Sequence, residues 1–238
     1  MSSAKMLVNR LIGNFLLKRG YFVERDYRRP RSTMPLIDVI FPIILRSKAK
    51  ASVIQIGAFD GVTSDPLTKW ISHPRVRSVL VEPQPEAFQL LQNRFRQSSD
   101  VSLVKAAVAD QDGTLSLFVP NQSRASQVAS LSEEHVSRLL GPTRSITVSG
   151  ITVKSLLAQT RFDTVDLLQI DTEGMDYKIL LQFFDCGIEP RVVNLESFHL
   201  VKSERIDLYE SLATRNYAFI DHNLDTLAVK LDLIKDAF

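Results

Sequence analysis

From residue 52 onward, short apolar and β-branched runs alternate with stretches of helical spacing. Ser52–Gly57 reads as a strand, Pro66–Ser72 as a helix, Arg77–Glu82 as a strand and Pro85–Gln97 as a helix. Val101–Ala107 and Thr114–Val119 read as further strands, the second entered through the turn pair Asp112-Gly113. Residues 120–150 are polar and Ser-rich, contain Gly141-Pro142, and read as an insertion or lid. The pattern then resumes with strand Val165–Ile170, helix Met175–Phe184, strand Arg191–Glu196 and helix Glu204–Thr214. Tyr217–Ile220 and Thr226–Leu231 form a terminal pair around Asp221-His222-Asn223. Repeated β-α units predict an α/β domain with a mainly parallel sheet and helices on both faces. Ligands of such folds sit beyond the carboxyl ends of the strands.

The segment before this domain has a different character. Residues 1–50 carry eleven Lys or Arg against three acids, a net +8, while the remainder carries −6. Within it, Met6, Leu7, Leu11, Phe15 and Leu16 fall at helical spacing among Lys5, Arg10, Lys18 and Arg19. Residues 1–50 therefore read as a basic helical extension and 51–238 as the main domain. Two readings of the extension stand: a peripheral contact with an anionic membrane surface through residues 1–31, or a helix packed on the domain or on a second subunit. One short basic run without interleaved aromatics does not point to nucleic acid. No apolar run reaches membrane-spanning length, and the single cysteine, Cys186, excludes an intrachain disulfide. A cytoplasmic location is expected.

Polar clusters follow each predicted strand. In the first, VIQIGAFDGVTSDP at 53–66, Gly57 and Gly61 let the backbone turn tightly and approach a ligand. Ser64 or Asp65 is placed to cap the next helix, with Pro66 in its first turn. An acid there repels a pyrophosphate and favours a ligand without phosphate. Glu82 ends the next strand, about twenty residues on, where a carboxylate accepts bonds from ribose hydroxyls. IDTEGMD at 170–176 places three acids at a strand-to-helix junction. Asp171 points into the cleft or caps the helix; Glu173 faces the cleft or stabilises the helix start. Glu196 and His199 lie beyond the neighbouring strand, His199 as a candidate base or as a structural histidine. Asp171, Glu196 and His199 are also a conceivable cation set, but their spacing is not diagnostic and no metal is assigned.

IGAFDG, VEPQPEAF, KAAVAD and QIDTEGMDYKIL, in this order, resemble the FkbM-type S-adenosylmethionine-dependent methyltransferases. The resemblance covers roughly residues 50–232. It implies a class I methyltransferase fold, Rossmann-like, with a seven-stranded, mostly parallel sheet whose last strand is antiparallel. It implies S-adenosyl-L-methionine as cofactor, with Gly57, Ala58, Asp60 and Gly61 at the methionine end, Glu82 with Pro83 at the ribose and Ala107 at the adenine. Asp171 and Glu173 match the family's acidic motif near methyl transfer. It further implies transfer to a hydroxyl of a sugar, glycan or secondary metabolite. Such a transfer needs a base to take the hydroxyl proton, and the sequence offers His199 first and Asp171 second, with Glu196 beside them. The family often shows Asp at the position of Gln55. Gln55 can still hydrogen-bond an ammonium, and nearby Asp60 is expected to supply the missing charge. An NAD or nucleotide-sugar enzyme and a catalytically degenerate binding module remain the competing readings.

Overall fold

The computed structural model describes residues 36–121 and 126–235. The amphipathic stretch at 5–19 and the basic run at 28–31 lie outside them. In chain order the elements are α1 (Ile37–Ser47), β1 (Ala51–Ile56), α2 (Thr68–Ile71), β2 (Val76–Val81), α3 (Pro85–Phe95), β3 (Val101–Val104), β4 (Ala107–Val108), β5 (Gly113–Pro120) and α4 (Glu133–Leu140). They continue with β6 (Thr143–Ile151), α5 (Val153–Thr160), β7 (Leu167–Ile170), α6 (Asp176–Asp185), β8 (Val192–Glu196), α7 (Lys202–Thr214), β9 (Tyr217–His222), β10 (Asp225–Lys230) and α8 (Leu231–Lys235).

The main sheet has seven strands in the order β3-β2-β1-β7-β8-β10-β9. Its pairings are parallel except around β10, which runs antiparallel to both β8 and β9. This is the class I methyltransferase sheet. The order reverses between β1 and β7, so the two central strands lead away in opposite directions and open a crevice above their carboxyl ends. Both faces are covered, which is why the strands read as near-continuous apolar runs. Ile54, Ile56, Val79, Val81 and Leu168 pack on one side with Leu156 of α5, Phe183 of α6 and Leu208 of α7. Val53, Leu80 and Leu167 pack on the other with Phe41 of α1, Leu91 of α3 and Leu233 of α8.

Two expectations change. The predicted lid at 120–150 is largely regular structure: it contains α4 and the nine-residue β6. β6 pairs antiparallel with β5 and parallel with β4, making a separate three-stranded sheet. Its inward Ile146 and Val148 join Leu117 and Val119 in a small third core. The alternation was present in Ser145-Ile146-Thr147-Val148-Ser149, masked by hydroxyl residues that also suit loops.

The predicted extension also ends earlier than residue 50. α1 buries Ile37, Phe41, Ile44 and Leu45 in the second core. Phe41 lies against Trp70 with ring centroids 4.9 Å apart, and the Trp70 indole donates to Asp38 at 2.8 Å. The Arg75 guanidinium donates to the carbonyls of Leu45, Lys48 and Ala49, satisfying the helix end. No helix among the described residues is long and apolar enough to cross a membrane. Phe41→Ala should cost roughly 3–5 kcal/mol of stability, measured by urea unfolding; a loss below about 1 kcal/mol would show that α1 is not part of the domain core.

Candidate functional site

The register fixes the centre of the site. Ile56 pairs with Val81 on one side and Ile170 on the other. The next residues, Glu82, Gly57 and Asp171, therefore stand side by side on three adjacent strand ends. Gly57 has φ +83°, and a Cβ there would lie 1.8 Å from the Asp171 carbonyl oxygen. Both the conformation and the space demand glycine. Asp171 N–H donates to Ile56 O at 3.0 Å, and the Gly57 and Ala58 N–H groups share Val81 O, each at 3.0 Å.

These strand ends floor a pocket, its wall completed by the loop at 63–66 and the segment at 127–131. Glu82 is buried in that wall. Its Oε2 accepts from Phe59 N–H at 2.9 Å and its Oε1 from Gln84 N–H at 2.9 Å. Burial pushes its carboxyl up to about 7, against the pull of those donors. Oε1 also accepts from Gln84 Nε2 at 3.2 Å, while Oε2 retains a lone pair for a ligand hydroxyl. Gln84 also binds the lid: its amide exchanges two 2.8 Å bonds with the Ser126 backbone. Gln127 donates to Thr63 O at 3.0 Å, so the lid segment is tied to both the second strand and the glycine loop.

Two buried acceptors in the pocket wall have no hydrogen-bond partner, Gln55 Oε1 and Asp65 Oδ2. Asp65 Oδ1 accepts from Leu67 N–H at 2.7 Å. Burial raises the Asp65 carboxyl, with the Leu67 N–H and the neighbouring Gln55 amide working the other way. Asp65 does not cap a long helix as expected; α2 begins only at Thr68 and has four residues.

The acidic turn is organised by Asp176, which the sequence reading left without a role. It is 2% exposed and accepts from Thr172 N–H, Thr172 Oγ1 and Gly174 N–H, each at 3.1 Å. Burial outweighs these bonds and lifts it to about 6. Asp171 lines the pocket and is solvent-exposed there. Desolvation at the pocket wall, then Asp176 and Glu173, push its carboxyl up to about 8. Glu173 adopts φ +56° and turns away from the pocket wall. Its Oε2 lies 2.9 Å from His135 Nε2 and 3.3 Å from His199 Nε2. His199 Nε2 is also 3.3 Å from Glu196 Oε1. Burial, then Glu173 and Asp171, push Glu196 up to about 9. Burial and His135 hold the His199 ring below its usual value.

The residues named from sequence therefore divide. Gln55, Gly57, Ala58, Glu82, Pro83, Ala107 and Asp171 line the pocket. Asp60 and Gly61 do not. Asp60 closes its own exposed turn, accepting from Val62 N–H, Thr63 N–H and Thr63 Oγ1, and these bonds hold it below the usual range although burial pulls upward. Gly61 faces Leu91 and Phe95 of α3. Glu173, Glu196 and His199 form a second cluster beside the pocket, joined by His135 of α4. His135 sits 38 residues from Glu173, inside what read as a loop. The one available signal was a histidine on the apolar stripe of a short amphipathic segment, which is ordinarily a core residue.

The profile of the Methyltransferase FkbM domain matches residues 55–220, which span the glycine loop, Glu82, the acidic turn and the start of β9. The chain belongs to the FkbM methyltransferase family. No curated protein matches it. Among solved structures it is similar to the methyltransferase FkbM from Methylobacillus flagellatus KT, at 13% identity and a TM-score of 0.49 over 76% of this chain and 44% of that one. It is similar to the N-terminal domain of human METTL16 in complex with SAH, at 13% identity and a TM-score of 0.44 over 92% and 79%. It is similar to the precorrin-6y C5,15-methyltransferase of Geobacter metallireducens GS-15, at 13% identity and 0.43 over 85% and 93%. This FkbM-family chain thus spans less than half of its Methylobacillus relative.

Glu82 gives this family member a pH signature. The unfolded carboxyl titrates near 4.5 and the folded one near 7. Below 4.5 both forms are protonated. Between 4.5 and 7 the folded chain keeps a proton the unfolded chain has lost, so Glu82's contribution to stability declines as pH rises and is gone above 7. Carbon-13 NMR of glutamate-labelled protein should show one carboxyl titrating near 7 that disappears in Glu82→Gln. A midpoint near 4.5 would contradict its burial.

Proposed function

We propose that the chain binds S-adenosyl-L-methionine and directs its methyl group to a hydroxyl of a sugar, glycan or secondary metabolite. The observation that carries the cofactor assignment is the pair of unpaired buried acceptors, Gln55 Oε1 and Asp65 Oδ2, in the wall of a pocket that also contains Glu82. A buried acceptor without a partner costs free energy until a donor arrives. An amino-acid ammonium is such a donor, and Asp65 gives it the negative charge that Gln55 lacks. Glu82 accepts from ribose hydroxyls, its carboxylate already aimed by the Phe59 and Gln84 amides. Ala106, Ala107, Val108 and Leu117 form an apolar wall fit for a flat base.

The cofactor, when bound, supplies an electrophilic methyl on a positively charged sulfur. The protein's part is to orient the acceptor and receive its proton. Asp171 lines the pocket and titrates near 8, so it exchanges protons at neutral pH. His199, the first choice from sequence, does not line the pocket and is engaged with Glu173 and Glu196. In this reading the base is Asp171. Without a free helix N-terminus after the glycine loop, and with Asp65 in that loop, the pocket is a poor pyrophosphate site, which disfavours NAD.

Calorimetry should give S-adenosylhomocysteine binding and none with NAD. Asp65→Asn and Glu82→Gln should each weaken that binding about 10- to 100-fold, the scale of a charged hydrogen bond. Asp171→Asn should leave it within a few-fold. Transfer from labelled cofactor to a cell-extract acceptor should fall about 10²- to 10⁴-fold in Asp171→Asn. Unchanged turnover would remove Asp171 as base. Lost binding would make it a cofactor ligand instead.

A further inference from the structure

The second cluster is more than a set of ion pairs. His135 of α4, Glu173 of the acidic turn, and Glu196 and His199 after β8 converge from three separate parts of the chain. Their side chains are only 9%, 12%, 10% and 14% exposed. Both histidines present Nε2 to the same oxygen, Glu173 Oε2, at 2.9 and 3.3 Å. His199 Nε2 faces Glu196 Oε1 at 3.3 Å as well. One N–H shared between two carboxylates makes at best a bifurcated bond, and both distances are long for charge-assisted hydrogen bonds, which run about 2.7–2.9 Å. The other Glu196 oxygen is buried and has no partner. Among the described residues, no Lys or Arg forms an ion pair with Asp171, Glu173 or Glu196.

We infer that His135, Glu173 and His199, with Glu196 adjoining through His199, form a binding site for a divalent first-row transition ion. Ligand atoms about 2.0–2.2 Å from a common metal lie about 3–3.5 Å from one another; one ligand atom from each of His135, Glu173 and His199 lies within 4.8 Å of the other two, with the two histidine–carboxylate pairs at 2.9 and 3.3 Å. Two imidazoles with a carboxylate suit zinc, manganese or iron rather than magnesium, which prefers oxygen alone. The ligand atoms of Asp171, Glu173 and Glu196 also lie within 4.8 Å of one another. The ion would therefore adjoin the pocket on the side of Asp171.

The site stands on these residues alone and does not depend on the methyl-transfer reading. The test uses the untagged full chain, stripped with EDTA and titrated with Zn²⁺, Mn²⁺ and Mg²⁺ by calorimetry. One Zn²⁺ or Mn²⁺ should bind per chain, with Mg²⁺ at least tenfold weaker. Bound Mn²⁺ should show nitrogen couplings from two imidazoles by electron spin echo spectroscopy. His135→Ala and His199→Ala should each weaken Zn²⁺ binding at least tenfold, with circular dichroism unchanged. Absence of binding in the wild type, Mg²⁺ binding as tightly as Zn²⁺, or bound Mn²⁺ without nitrogen coupling would each overturn the proposal, whatever the variants do. S-adenosylhomocysteine binding, measured in parallel, reports the methyltransferase reading separately.

Discussion

The contact on which the site depends is the approach of Gly57 to the Asp171 carbonyl. A methyl group at position 57 would overlap that oxygen, so β1 and β7 can end together only over a bare backbone position. Neighbouring strands lie about 4.8 Å apart. Glu82 and Asp171 are thus held roughly two strand spacings apart, with no side chain between them. One flank can meet a ligand's hydroxyls and the other can face the reacting end. The rest of the crevice is built outward from this pinch: the loop from Ala58 to Pro66 on one side, the acidic turn from Asp171 to Asp176 on the other.

Much of this was legible in the sequence. The parallel strands announce themselves as apolar runs because both faces of the sheet are covered. Glu82 was recognisable from its place at a strand end, and 170–176 from its density of acids. What was not legible depends on conformation or on distance along the chain. Asp60 lies between the two loop glycines and Asp65 just after them, and the two look equivalent in one dimension. The left-handed turn at Phe59 leaves Asp60 bonded to its own loop, while Asp65 turns inward. α1 adjoins a basic segment and was grouped with its charge, although its apolar face belongs to the core. His135 meets Glu173 only because β6 folds back along β5 and carries α4 over the pocket.

The site carries three of the six non-glycine residues at positive φ among the described residues. Phe59, Ser64 and Glu173 hold positive φ without being glycine, and each borders the pocket or its neighbouring cluster. Such conformations cost on the order of 1–3 kcal/mol each. Glu82 and Glu196 are acids whose burial favours their protonated forms, and desolvation, then neighbouring acids, push Asp171 the same way. Asp176 shows the contrasting solution: three donors tie it down, and it serves the turn rather than a ligand. Acids left short of partners beside a cavity are a cost to folding that only binding recovers.

The exchange between positions 55 and 65 has a consequence for how variation in this family is read. Judged column by column, a neutral residue at 55 looks like a lost function. In space, Asp65, ten residues along the chain, faces the Gln55 amide, and under the proposed cofactor assignment its carboxylate supplies the charge that Gln55 lacks. Under that assignment the two positions are coupled. Restoring an acid at 55 would set two buried carboxyls against each other, each disfavouring the other's ionised form. A substitution toward the family's usual residue would thus be harmful in this background, and harmless only after Asp65 had been neutralised first.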